Sequence, residues 1–190
     1  MPQDKDDADL FLETLDWIIS KLDEADIPYM ITGGSAVGFW GHIRTTMDID
    51  VVIDITRDQV PAFVQSIEQD AYIESSAVHE ALAHGTMFNV ISNATFFKVD
   101  LVPLRNEPYE QKKFNRRIPM EYRDRKIYVI SPEDLIISKL LWSKSMGTSE
   151  RQIRDCSSIY ELNRDDLDLT YIEKWINTLN LDEEFSKLDM

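Results

Sequence analysis

The chain has 190 residues, 43% hydrophobic and 29% charged, which is enough for one buried core and too apolar for a disordered chain. Its 35 acids against 20 Lys/Arg give a formal net charge of −15, a field that repels phosphate and excludes a general nucleic-acid or anionic-membrane binder. A single cysteine, Cys156, excludes a disulfide framework and a cysteine-based zinc site.

Met1–Leu10 carries four aspartates and no apolar stretch, so no signal peptide is expected. No uninterrupted apolar run approaches the ~20 residues that span a bilayer. A soluble, cytoplasmic protein without a membrane partner is the expectation. Leu12, Leu15, Ile18, Ile19 and Leu22 recur at helical spacing and predict an amphipathic helix over 8–25. After Pro28 comes a short strand, Tyr29-Met30-Ile31, running into Thr32-Gly33-Gly34-Ser35 and a short helix from Ala36 to Trp40. Residues 46–54 alternate: Met47, Ile49, Val51 and Ile53 face one way, and Thr46, Asp48, Asp50 and Asp54 the other, with Val52 as the exception. A half-buried strand follows from that pattern.

Helices are expected over Arg57–Gln69 and Ser76–His84, then strands over Met87–Ile91 and Phe96–Val102. A hairpin, Ile118–Tyr122 and Lys126–Ile130, should turn at Arg123-Asp124-Arg125. Ser131-Pro132-Glu133-Asp134 combines an N-cap serine, a proline at the first helical position and acids in the first turn, so a helix should run over Glu133–Lys144. Helical patterns continue over 149–162 and 166–179, with a short last segment. Strands before residue 130 and helices after it imply an α/β (α+β) core over 1–130 and a C-terminal helical subdomain over 131–190.

Gly33-Gly34-Ser35 and Asp48-Ile49-Asp50 carry the strongest chemical signal. Two glycines after a strand let the backbone approach a ligand closely and offer N–H groups to phosphate, and Ser35 adds a hydroxyl. Alone, such a tripeptide is more often a tight turn. Asp48 and Asp50 lie two apart on a strand, so both carboxylates leave one face, about 6.6 Å apart along the chain. There they can converge on a hard cation such as Mg2+, which takes oxygen ligands. Asp100, in the strand Phe97-Lys98-Val99-Asp100-Leu101-Val102, is placed to complete a three-carboxylate cluster. The bland alternative is two acids facing water.

Gly33-Gly34-Ser35, a short helix and then Asp48-Ile49-Asp50-Val51 resemble the signature of the nucleotidyltransferase superfamily with the DNA polymerase β-like fold. Arg44-Thr45-Thr46-Met47-Asp48-Ile49-Asp50 is similar to the Arg-x-Thr-x-Asp-Ile-Asp element of its AbiEii/MenT-like branch, which includes toxins of abortive-infection and toxin–antitoxin systems. Ser131-Pro132-Glu133-Asp134-Leu135, Lys139-Leu140, Arg151 and Asp155 look like that branch's later motifs. The resemblance covers residues 30 to 162 and implies a mixed sheet flanked by helices.

By the same resemblance, Asp48 and Asp50 would hold two Mg2+ ions (Mn2+ being an alternative) that clamp a triphosphate. Asp100 would share a metal or act as general base. Gly33, Gly34, Ser35 and Arg44 would lie against the nucleotide, with Gly34 and Ser35 at the β/γ-phosphates. Lys139 would reach the triphosphate, and Asp155 would be a further catalytic or acceptor-orienting acid. The implied reaction moves NMP from an NTP to an acceptor (a tRNA end, a protein or a small hydroxyl compound) and releases pyrophosphate. A cognate antitoxin is an implied partner.

The residues bear independently on the two later positions. Lys139 and Asp155 each sit among apolar helical neighbours, where a charge is costly unless paired. The alternative is that Lys139 snorkels to water and Asp155 pairs with Arg151 one turn earlier. Lys112–Lys126 holds seven Lys/Arg against two acids, with Phe114 and Tyr122 as candidate stacking rings for an RNA end. A solvated hairpin is the competing reading, and Arg57 reads as a surface residue at a helix start. His42, His79 and His84 lack metal-ligand companions. Cys156 reads as a small buried residue, and Trp17, Trp40, Trp142 and Trp175 as packing residues. Asp54, at its strand end, reads as a turn acid. Besides an active enzyme, a non-catalytic nucleotide-sensing or protein-binding module that kept the fold fits the same sequence.

Overall fold

The computed structural model describes residues 6–43, 46, 48–147 and 149–188. Two compact units arise, one from Met1–Ser35 with Thr45–Val129 and one from Ala36–Arg44 with Ile130–Met190. The first contains a seven-stranded mixed sheet. Its strands are β1 (Tyr29–Thr32), β2 (Asp48–Ile53), β3 (Ala71–Ile73), β4 (Phe88–Ser92), β5 (Lys98–Pro103), β6 (Ile118–Tyr122) and β7 (Arg125–Val129), in the spatial order β3-β4-β5-β2-β1-β7-β6. Pairing is parallel for β2 with β5 and for β1 with β7, and antiparallel elsewhere.

Helix α1 (Asp7–Glu24) opens on an Asp6 cap, whose carboxylate accepts from the Asp9 N–H, and buries Leu15, Ile18, Ile19 and Leu22. That is the stripe its sequence spacing requires. Strand β2 departs from simple alternation. Asp48 and Asp50 are only partly covered, but Val51, Val52 and Ile53 are all buried. The reason is position: β2 lies in the middle of the sheet, between β1 and β5, and its C-terminal half is covered on both faces. Met47 lies outside the described residues.

Helix α3 (Val60–Glu68) starts three residues later than its periodicity suggests. Thr56 donates its N–H and hydroxyl to Gln59 Oε1, both at 2.9 Å, and the turn so closed holds Arg57 out of the helix. Helix α4 (Ser75–His84) ends on Gly85 at φ +64. Strand β3 has only three residues, too few to show a period, and the sequence pattern misses it. The basic segment is not all hairpin either. Its first part is helix α5 (Pro108–Asn115), which buries Tyr109, Lys113 and Phe114.

The second unit is helical: the later part of α2 (Gly33–Trp40) with α6 (Pro132–Met146), α7 (Glu150–Asn163), α8 (Leu169–Leu179) and α9 (Asp182–Phe185). Ser131 caps α6 as its sequence predicts, accepting from the Asp134 N–H at 3.2 Å. Within this unit α2 and α7 approach so closely that a Cβ on Gly41 would lie 2.6 Å from Ser158 Oγ. Trp40 Nε1 donates to the Ile130 carbonyl at 2.7 Å, and Asn163 Nδ2 donates to the Trp40 carbonyl at 2.6 Å. Trp142 is an exception among the expected packing residues. It is 48% exposed, although Leu140 and Ser143 on either side of it are buried. Among the described residues, no helix is long and apolar enough to cross a membrane.

Cys156 is buried, and burial pushes its thiol up to about 12. Only the thiolate is nucleophilic. The folded chain should therefore resist iodoacetamide at pH 8, with modification, read by intact mass, appearing only in denaturant.

Candidate active site

The site is built where β1 hands over to α2 and where β2 runs beside β5. Gly33 stands at φ +58, in the left-handed region that glycine enters without penalty. It also allows a close approach, since a Cβ there would lie 2.2 Å from Asp50 Oδ2. The next residue uses that approach: the Gly34 N–H donates to Asp50 Oδ2 at 2.9 Å. Ser35 completes the latch. Its buried hydroxyl donates to the Thr32 carbonyl at 2.9 Å and accepts from the Asp50 N–H at 3.1 Å. Gly34 and Ser35, expected against the nucleotide's phosphates, thus both engage Asp50 in this structure. Arg44 lies outside the described residues.

The register of β2 with β5 sets Asp48 opposite Lys98 and Asp50 opposite Asp100. Residues two apart on a strand share a face, so four charged side chains form one block on one side of the sheet. Asp48 is steadied by Thr46, whose hydroxyl donates to Asp48 Oδ1 at 3.0 Å. Asp100 is nearly covered, its side chain 6% exposed. Asn89 of β4, paired in register with it, donates its Nδ2 to Asp100 Oδ1. Lys98 donates to the other oxygen, Oδ2, at 2.7 Å, and its ammonium also lies 3.9 Å from Asp48 Oδ2. The hydrogen bond to Asp100, opposed by partial burial, and the charges of Asp100, Asp48 and Asp50 together raise the Lys98 pKa above its ordinary value.

Among the described residues, no three Asp, Glu, His or Cys side chains close into a group that could hold a metal by themselves. What the structure places here is three carboxylates around an ammonium. The donor set nonetheless fits a hard divalent cation: every ligand atom is a carboxylate oxygen, and a cationic group is already drawn to two of them. Lys98, Asn89 and the helping role of Thr46 were missed in the sequence. For Lys98 the signal was available, since Lys98 and Asp100 are two apart on a strand just as Asp48 and Asp50 are.

Lys139 and Asp155 turn out to be each other's partner. Lys139 Nζ lies 2.7 Å from Asp155 Oδ2 and donates to Gln152 Oε1 at 3.2 Å, joining α6 to α7 with both charged side chains buried. At least four of the seven cations in the basic segment are engaged within the first unit. The Arg117 guanidinium lies 4.2 Å from the Phe114 ring centre and 5.1 Å from that of Tyr128. Lys113 pairs with Glu110 at 2.9 Å, Arg123 with Asp16, and Arg125 donates to Ser20 Oγ at 3.0 Å. Phe114 is buried, so it cannot be a stacking platform for a base.

Residues 10–189 match the family model described as a nucleotidyltransferase of unknown function (DUF6036). The chain belongs to this nucleotidyltransferase family. No curated protein matches it. Among solved structures, the nucleotidyltransferase is similar to the lincosamide antibiotic adenylyltransferase LnuA in its lincomycin-bound form, at 16% identity and TM-score 0.55, over 79% of this chain and 96% of that one. An antigenic nucleotidyltransferase-like protein from Paracoccidioides brasiliensis matches at 19% identity and TM-score 0.55, over 93% and 90%. The antibiotic-resistance factor ANT(2″)-Ia matches at 16% identity and TM-score 0.58, over 97% of both chains. At such identities these likenesses speak for the fold: a mixed sheet flanked by helices.

Two substitutions probe the nucleotidyltransferase's architecture. Gly33→Ala should lose at least about 1 kcal/mol from the left-handed backbone alone, which is roughly 2–4 °C in midpoint for a chain of this size. The clash with Asp50 adds to that, and thermal unfolding reads the sum. Asp155→Ala strands the buried Lys139 ammonium and should cost about 3–5 kcal/mol. Denaturant unfolding of Asp155→Leu/Lys139→Met, which removes both charges, should recover most of that loss.

Proposed function

We propose that this nucleotidyltransferase moves a nucleoside monophosphate from an NTP to the hydroxyl of a small-molecule acceptor and releases pyrophosphate. The observation that carries the reading is the face shared by Asp48, Asp50 and Asp100, with Asp50 held by the Gly34 N–H and Asp100 by Asn89. Asp48 and Asp50 would hold Mg2+ or Mn2+, which when bound supplies charge neutralisation for the triphosphate and the departing pyrophosphate. Asp100 would share that ion or take the proton of the attacking hydroxyl as the new oxygen–phosphorus bond forms and the bond to pyrophosphate breaks. Such a reaction needs positioning and electrostatics rather than a protein nucleophile, which suits a site of carboxylates without a cysteine or serine poised to attack.

Three features support a small acceptor. The net charge of −15 disfavours a polyanion. Most of the basic segment is consumed by internal pairs and ring contacts. Two structurally similar proteins are described with antibiotics: LnuA with lincomycin bound, and ANT(2″)-Ia with adenylyl-2″-tobramycin. A second reading is a toxin of the AbiEii/MenT-like branch, acting on an RNA end or a protein under a cognate antitoxin. It rests on the Arg44–Asp50 motif, and it gains support from the contact between its later motif residues, Lys139 and Asp155.

Radiolabelled NTPs with Mg2+ should label one or more members of a panel of polyhydroxylated small molecules, with pyrophosphate released in step. Asp48→Ala should bring transfer below detection while thermal unfolding shows the fold intact. Label appearing on tRNA or protein instead would favour the second reading, and unchanged transfer by Asp48→Ala would overturn the mechanism.

A further inference from the structure

Lys98 is a cation set among the acids by the strand register itself. Asp100 Oδ2 is taken by Lys98, and Asp100 Oδ1 by Asn89, so both oxygens of this carboxylate are engaged within the protein. Asp48 Oδ2 is within 3.9 Å of the same ammonium. Three carboxylates on adjacent positions of two parallel strands repel one another, and like charges directly opposite weaken strand pairing. One ammonium in their midst offsets part of that repulsion. Lys98 is also able to leave. Its side chain is 40% exposed, as is Asp48's at 38%, whereas Asp100's is 6% exposed and fixed. A long, flexible, exposed stem carrying a point charge is suited to being displaced.

Resting on the metal-dependent reading given above, we propose that Lys98 is a tethered counter-ion that competes with the divalent cation for Asp48 and Asp100. Its ammonium offsets one of the three negative charges and occupies Asp100 Oδ2. A cation drawing on those oxygens has to turn it out. Lys98 is thus a positioning residue that sets how much free divalent ion is needed to load the site. It makes loading more demanding than the three carboxylates alone would.

The test is Mn2+ titration of the full chain without nucleotide, with free Mn2+ followed by electron paramagnetic resonance, alongside thermal unfolding in EDTA. Lys98→Met should tighten the Mn2+ Kd by roughly five- to tenfold, the scale of removing one nearby charge at a solvent-exposed site. In EDTA it should unfold at a lower temperature than wild type, and it should gain more from added Mn2+. Lys98→Arg, which keeps the charge, should stay within about twofold of the wild-type Kd on the same scale. If Lys98→Met does not fold, Lys98→Gln carries the same expectation. Equal or weaker Mn2+ binding by the uncharged variant overturns the proposal, as does Lys98→Arg tightening as much as Lys98→Met. Wild type and variants that all fail to bind Mn2+ would overturn the metal-dependent reading itself, an outcome distinct from either of those.

Discussion

The single hydrogen bond from the Gly34 N–H to Asp50 is the contact on which the site depends. It requires the backbone after β1 to come so near β2 that no Cβ fits at Gly33, and it requires that residue to stand at positive φ. Ser35 repeats the constraint from the other side by accepting the Asp50 N–H. A strand end, a helix start and a carboxylate are thereby fixed together by groups that are mostly backbone. Side-chain rotamer freedom, the usual source of imprecision in a site, plays little part in setting Asp50.

Once Asp50 is fixed, the electrostatic problem follows from the register. Parallel pairing puts Asp100 directly beside it and Lys98 beside Asp48, and no alternative in-register arrangement separates these charges. The protein meets the repulsion with one ammonium, one amide from β4 and one hydroxyl at Thr46, each bonded to a different carboxylate oxygen. In the second unit the same physics has a simpler answer. Lys139 and Asp155 are buried far too deeply to stand alone, and each is satisfied by the other across two helices.

Much of this was legible in the sequence because local rules governed it. The Ser131-Pro132 helix start, the stripe of α1, the hairpin of β6 and β7 and the shared face of Asp48 and Asp50 all follow from propensity and period. The glycine pair was legible as a close approach, but its target was not, since Asp50 lies sixteen residues on. Val52 broke the alternation because tertiary position covered both faces of β2. The basic run at 112–126 stayed open between two readings for a related reason. Sequence shows charge, whereas only packing shows that Arg117 lies over Phe114 and that Lys113 is buried against Glu110. Lys139 and Asp155 were each legible as needing a partner, and the α6–α7 packing supplied the identity of both.

The side-by-side register of β2 and β5 has a consequence for how this chain can change in length over evolution. One residue inserted into or deleted from either strand would slip the ladder by one, turning the following acids into the core and Ile49 or Val99 out to solvent. Two hexapeptides, Asp48–Ile53 and Lys98–Pro103, are therefore closed to insertions and deletions, even though 44 residues separate them. Turns within the intervening stretch, such as Gly85-Thr86-Met87 with its exposed last two residues, carry no such constraint and can absorb the variation.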